Sequence, residues 1–346
     1  MPVIKANVQH AVVVHRTNDA WFRKHNKNEI WDICWNGQRR SNYDVTDSID
    51  VTSTQDVYNE ITRLFYETTH SENFLALQRS FEIFDALYEG KHPAYHGCDT
   101  EYHNKQHVLD VTLATLRLIA GRERGVTFRS RFSTEQVLVA VITALFHDVG
   151  YLRKRDEYHV RHGAEFTRIH VSRSADFLFE HMKTVGLQAF ALLAKQLVHF
   201  TGYEYDIEQI KVPNQKYRDL GNIIGTADVI AQMADRTYLE KCRNHLYPEF
   251  VRGGMCEQTD AAGYVKIVYS SAEELLLKTP SYMHSVFNHR LTQSFNESFR
   301  YIEDYFFGVN VYLINVQKNF VYLLEQIRKI EAGDQAPIFD EHILRR

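Results

Sequence analysis

An all-α architecture is the fold class this sequence predicts, and three observations predict it. Apolar residues recur at helical spacing from about residue 55 to the end. No long alternating strand pattern interrupts them, and only six prolines stand among 346 residues. At 44% hydrophobic and 24% charged residues the chain has ordinary globular composition and ample material for a core. Its length is compatible with about two domains or with one large helical domain carrying extensions.

Taken in order, residues 1–54 lack a clear period, are rich in Asn and Asp around Asn36 to Ser53, and read as an N-terminal arm or irregular cap. Leading helices follow within 55–94, near 55–67 and 72–88, and the Gly90, Pro93 and Gly97 cluster ends them. A helix near 104–120 is followed by a break from Gly121 to Ser133. The clearest helix starts there, because Ser133 and Gln136 have capping-box spacing. It then places Val137, Leu138, Val141, Ala144, Leu145 and Asp148 along one stripe, and Gly150 should stop it. Further helices are expected near 162–182, 187–200, 217–246, 271–278, 296–306 and 310–331. Breaks fall at Gly202 to Pro213 and at Gly253 to Gly263. Residues 241–346 form a C-terminal helical extension whose aromatic-rich stretch, Phe295 to Tyr322, reads as helix packing, with a homodimer among the arrangements it would serve.

Bulk properties remove several classes of function. The longest apolar run, Val137 to Phe146, is far short of the ~18 residues that suggest a membrane span. Met1 to Arg16 carries one lysine and no continuous apolar stretch of signal-peptide type, so a cytoplasmic protein without membrane attachment is the expectation. Cys34, Cys98, Cys242 and Cys256 are scattered and form no C-x-x-C pair, which indicates neither a zinc ribbon nor a disulfide framework. A net charge of -4 argues against a grip on nucleic acid polymers, whereas small phosphate ligands stay compatible if a metal supplies the positive charge.

Three segments carry chemistry. In Tyr102-His103-Asn104-Lys105-Gln106-His107-Val108-Leu109-Asp110-Val111, His103 and His107 lie one helical turn apart on one face, so one can bind a metal while the other reaches a substrate. An ordinary helix with two polar imidazoles is the competing reading. Ala144 to Gly150 ends an apolar helix with His147 and Asp148, two adjacent ligand types that a core would satisfy only at a cost. Ile223 to Met233 buries Asp228 alone in an apolar helix, which demands a cation, strong donors or an arginine partner. Two imidazoles and two carboxylates together suit Mn, Fe, Zn or Mg better than a thiolate-selecting metal.

With these segments in view, the sequence resembles the HD phosphohydrolase superfamily, and in particular the class I cyclic nucleotide phosphodiesterases. His103 to Val111 matches H-N-x-x-H-x-x-D-V throughout, and the His147-Asp148 pair and the later Ala227-Asp228 fall in the family's order. The likeness covers roughly residues 95–240, the expected HD metal-binding catalytic core. It implies His107, His147, Asp148 and Asp228 as ligands of one or two divalent ions, Asp148 also serving catalysis, His103 as general acid and Asn104 as a substrate contact. It departs at Tyr151, where the phosphodiesterases continue H-D-x-x-H. His159-Val160-Arg161-His162-Gly163-Ala164-Glu165 is instead similar to the H-x-x-x-G-A-E stretch of bacterial HD proteins, making His159 or His162, with His199, candidates for a second ion. Gln317 and Phe320 resemble the Q-x-x-F segment that holds a purine. A solvent-facing Gln317 beside a core Phe320 is the competing reading, and the one preferred.

The function expected is therefore a metal-dependent phosphodiesterase acting on a cyclic nucleotide or related small phosphodiester through metal-activated water. The alternatives are an HD nucleotidase or nucleoside triphosphate hydrolase, an HD-type di-iron oxygenase, and a non-catalytic metal-binding helical protein. For the last, a ferritin-like site needs repeated Glu-x-x-His pairs, and the chain offers only Glu89 to His92.

Overall fold

A computed structural model describes residues 41–260 and 263–332. The expected arm thus lies largely outside the described residues. Helices build the fold, as expected. Among the described residues the one sheet is a two-stranded hairpin, β1 (Glu257–Thr259) and β2 (Val265–Ile267), paired antiparallel with Gln258 opposite Lys266. The sequence had given no sign of it, since both strands are exposed and carry no buried face.

Two leading helices, α1 (Thr54–Thr69) and α2 (Leu75–Tyr88), lie near the expected limits. At the centre runs α3 (Lys105–Gly125), whose residues from Val108 to Ala120, Asp110 apart, are all buried; it packs against α1, α4, α7 and α11. A helix buried on every side belongs in the middle of a bundle. It also runs through Gly121, where a break was expected. A Cβ at that position would lie 1.8 Å from the Tyr301 carbonyl oxygen, so the glycine admits a crossing helix, α11 (Tyr301–Tyr305), and ends nothing.

The capping box of Ser133 and Gln136 does open α4 (Thr134–Leu145). The helix stops at Leu145, short of the expected Gly150, and a 3₁₀ turn at Val149–Tyr151 follows. Gly150 has a different duty: a Cβ there would meet the His170 carbonyl oxygen at 1.9 Å. Its N–H instead donates to Ser174 Oγ at 2.9 Å, which clamps the turn onto α5 (His170–Thr184). That helix begins eight residues later than expected, because His162 and Glu165 first close a separate 3₁₀ turn over Gly163–Phe166. The Glu204 carboxylate then accepts from the N–H groups of Val171 and Ser172 and so marks the new start.

After α6 (Ala191–Leu197) comes α7 (Gln215–Ala234). The single helix expected over 217–246 is interrupted at Asp235, whose carboxylate accepts from Thr237 N at 2.7 Å and from Thr237 Oγ1 at 2.9 Å. Such an Asx turn competes with helix continuation. Beyond it α8 (Tyr238–Lys241), a π-helical turn at Cys242–Leu246 and α9 (Tyr247–Arg252) swing the chain back across the bundle. The C-terminal part comprises α10 (Ala272–Ser285), a π-helical segment at Val286–Ser294, α11 and α12 (Val311–Glu331). Its Phe295, Phe299, Ile302 and Tyr312 join one continuous core that begins at Val45, so this aromatic stretch packs within the chain. No helix among the described residues is long and apolar enough to cross a membrane.

Candidate metal centre

Each of the main side chains reaches the site for a local reason. Asn104 caps α3: its Oδ1 accepts from His107 N at 3.2 Å, and its Nδ2 donates to the Glu101 carbonyl at 2.8 Å. This starts the helix so that His107 stands in its first turn, facing inward. At the end of α4 the early stop lets His147 Nδ1 donate to the Ala144 carbonyl at 2.8 Å. A carbonyl can only accept, so the Nδ1 proton is fixed and Nε2 is left with its lone pair turned to the site. A helix continued through Asp148 would have spread the two side chains by about 100°. The turn aims both at one point. Asp228 comes from the middle of α7.

The resulting cluster is close and buried. His147 Nε2 lies 3.2 Å from Asp148 Oδ2 and 3.7 Å from Asp228 Oδ1. His107 Nε2 lies 3.5 Å and 3.3 Å from the same two oxygens. The partners of Asp228 are imidazoles rather than the arginine that sequence had left open. His147 and Asp148 are 1% and 2% exposed, yet His147 Nε2 and Asp148 Oδ2 have no hydrogen-bond partner among the described residues. Donor atoms about 2.1 Å from a shared ion stand roughly 3.0–3.4 Å apart, close to these separations. His107, His147 and Asp148 offer ligand atoms all within 4.8 Å of one another, a group that could hold a metal ion. Two orphaned buried atoms in that group fit the requirement.

Electrostatics describe the same demand. Burial alone would raise the Asp148 carboxyl, but His147, His103 and His107 hold it far below the ordinary carboxylate range. Burial would likewise depress His147, and Asp148 with Asp228 instead pushes it up to about 9. The carboxylates thus draw positive charge to themselves, either as protons on imidazoles or as a cation in their place.

Beside the cluster, His103 Nδ1 makes a short contact with Glu249 Oε1. The other oxygen of Glu249 accepts from the N–H groups of Tyr102 and His103, so this fully buried carboxylate is fixed in place. Against the effect of burial, Glu249 first and then Asp148 and Asp228 raise His103 to about 9. Sequence had not singled out Glu249, which α9 delivers only because α7 breaks at Asp235. A carboxylate beside Phe250 and Val251 was the available signal.

His170, likewise missed, opens α5. Its Nε2 lies 3.6 Å from Asp148 Oδ1, and its Nδ1 meets the Thr167 carbonyl at 2.8 Å, the same arrangement that orients His147. The candidates for a second ion, His159 or His162 with His199, are not part of the His107, His147, Asp148 group. His159 is exposed, His162 caps its 3₁₀ turn beside Glu101, and His199 packs edge-on against Tyr205. Neither Gln317 nor Phe320 lines the cavity; Phe320 is buried in the core with His284 edge-on to it. Nor does Asn104, whose polar atoms cap α3.

No family model matches the chain, and no curated protein matches it either. What the site can do therefore rests on its own geometry. Asp148 and Asp228 of the cluster, with His103 and His170, line a cavity of about 420 Å³. Its walls are largely aromatic, with Tyr102, Tyr203, Tyr238, Phe250, Tyr269 and Tyr282, and Gln232 contributes a carboxamide. Two cations line it, both engaged. Arg168 donates to the Gly254 carbonyl, and Lys278 binds the Val268 carbonyl and Glu274.

Proposed function

We propose that this chain is a metal-dependent phosphohydrolase of the HD type, cleaving a small phosphodiester such as a cyclic nucleotide. The observation that carries the reading is a buried His107, His147, Asp148 group with orphaned donor atoms, whose Asp148 lines one cavity together with His103, the imidazole held by Glu249. Asp228 is the fourth ligand in this reading, supported by its 3.3 Å and 3.7 Å approaches to the two imidazoles. His170, whose Nε2 lies 3.6 Å from Asp148 Oδ1, takes the place given in sequence to His159 or His162 with His199, and would hold a second ion together with Asp148. A divalent ion bound here would polarise a phosphoryl oxygen and lower the pKa of water.

The protein's own groups do the rest. Glu249 occupies His103 Nδ1, which leaves Nε2 to give its proton to the departing oxygen. Backbone N–H groups hold Glu249 still, so the acid is oriented before substrate arrives. The aromatic walls exclude water and seat the apolar part of the substrate.

One observation favours a second reading. An additional imidazole, His170, lining the cavity brings the ligand set nearer to that of a di-iron oxygenase. The experiment that decides is a screen of cyclic mononucleotides, nucleotides and an aryl phosphodiester against the Mn, Mg, Zn and Fe forms, with oxygen uptake followed on the Fe form. Diester turnover without oxygen uptake is the expected result. Oxygen uptake without hydrolysis would overturn the hydrolase reading.

A further inference from the structure

The Tyr151 ring is packed against two functional imidazoles at once. Its centroid lies 4.6 Å from that of His103 with the planes 16° apart, and 4.3 Å from that of His170 with the planes 21° apart. The two imidazoles are themselves 6.2 Å apart, so the three rings form a triangle rather than a column. The phenol is 2% exposed and bonded to the side chain of Thr167, and Thr167 also supplies the carbonyl that orients His170. The Tyr151 backbone is equally confined. Its N–H donates to the Asp148 carbonyl at 3.0 Å, and its carbonyl oxygen abuts Gly163 so closely that a Cβ there would sit 2.5 Å away.

We propose that Tyr151 is a positioning residue, a shared aromatic platform that sets the ring planes of both His103 and His170. The proposal rests on the reading of His103 as general acid and of His170 as a ligand reaching Asp148. Each imidazole has one polar anchor, Glu249 for His103 and the Thr167 carbonyl for His170. One hydrogen bond at Nδ1 fixes a direction but leaves rotation about that bond free. An offset-stacked ring removes that remaining freedom, since such stacking has a preferred plane. A planar residue on a rigid turn immediately after the His147–Asp148 pair couples the acid to the carboxylate that the ion ligands share. An aliphatic side chain of similar bulk would fill the space without choosing a plane.

The test begins with wild-type protein free of metal. Ring-selective labelling and NMR should show cross-relaxation from Tyr151 ring protons to the ring protons of both His103 and His170. Contact to only one imidazole would overturn the proposal. In Tyr151→Leu the ring signals of both histidines should broaden or shift, while Tyr151→Phe keeps them near wild type. On an alkyl phosphodiester, kcat should fall by about 10- to 100-fold in Tyr151→Leu with little change in KM, and a nitrophenyl diester should lose less. Rescue by Tyr151→Phe shows that the ring, not the hydroxyl, acts. A Phe variant as impaired as the Leu variant, or a Leu variant with unaltered histidine signals, would sink the idea. The NMR readouts need no turnover, so a chain that hydrolyses neither diester would refute the hydrolase reading and still leave the platform judged.

Discussion

Two sets of buried charges share this bundle, and they are compensated in opposite ways. Around Asp44 the partners are permanent. Its carboxylate accepts from Ser48 N, Ile49 N and Thr46 Oγ1 and pairs with Arg117 at 2.8 Å, and Arg117 in turn donates to the Tyr312 hydroxyl. A guanidinium does not lose its proton, so the charge is balanced at every working pH. Around Asp148 the partners are imidazoles 3.2–3.6 Å away, whose charge depends on their protonation. Imidazoles can surrender protons to solvent and offer lone pairs to a cation. The first cluster holds the segment before α1 onto the bundle; the second could hold a metal ion.

The largest expected effect sharpens that contrast. Asp148→Ala should abolish metal binding and hydrolysis while leaving the helical signature intact, as read by metal analysis, diester turnover and circular dichroism. A fully loaded, active Asp148→Ala protein would remove the metal assignment. His103→Ala should keep its metal and lose about 10²- to 10⁴-fold on an alkyl diester. A nitrophenyl diester, whose leaving group is stable as an anion, should suffer much less. Equal losses on both substrates, or loss of metal, would move His103 out of the acid's role.

The structural cluster should answer in stability instead. Asp44→Ala strands the Arg117 guanidinium and should cost about 3–5 kcal/mol in urea unfolding, with metal affinity unchanged. A loss of metal affinity there would break the division between the two clusters. Smallest is the effect of a buried neutral group outside both. Burial holds His181 down to about 4, with Ser80 Oγ 2.9 Å from its Nε2. The unfolded chain takes up a proton near 6.5 and the folded one only near 4. Stability is therefore fully present above pH 6.5 and declines as pH falls toward 4, by up to about 3 kcal/mol at ~1.4 kcal/mol per unit. His181→Gln should flatten that slope in urea titrations at pH 7 and pH 5. A slope unchanged by the substitution would assign the acid sensitivity elsewhere.

What could be read from sequence was what local pattern determines. The helical class, the capped start of α4 and the adjacent His147–Asp148 pair all depend on residues a few positions apart, whereas the grouping of His107 with that pair came from the order of the motifs along the chain. Distant partners were not legible. His170 looked like an interior position of a helix expected to start at 162, because nothing local announces that His162 closes a separate turn. Glu249 lies 146 residues after His103 and beyond an interruption that periodicity does not register. The argument applied to Asp228, that a carboxylate in an apolar helix needs a partner, would have raised Glu249 as well. Gln317 shows the converse: a four-residue pattern fits many helices, and only the packing of α12 places it outside the cavity.

The interruption at Asp235 also orders events in time. His107, His147, Asp148 and Asp228 all precede it in the chain and gather through α3, α4 and α7. The counter-charge of His103 follows it, on α9, and the C-terminal carbonyls of α7 are capped later still, when Asn319 of α12 donates to those of Met233 and Asp235. Long-range contacts of this kind form late, since the entropy of closing the loop must be overcome first. During synthesis the four candidate ligands are therefore all present while His103 still lacks its carboxylate. On the proposed reading an ion can be held before the acid is oriented, and α12 secures the bend that makes the difference.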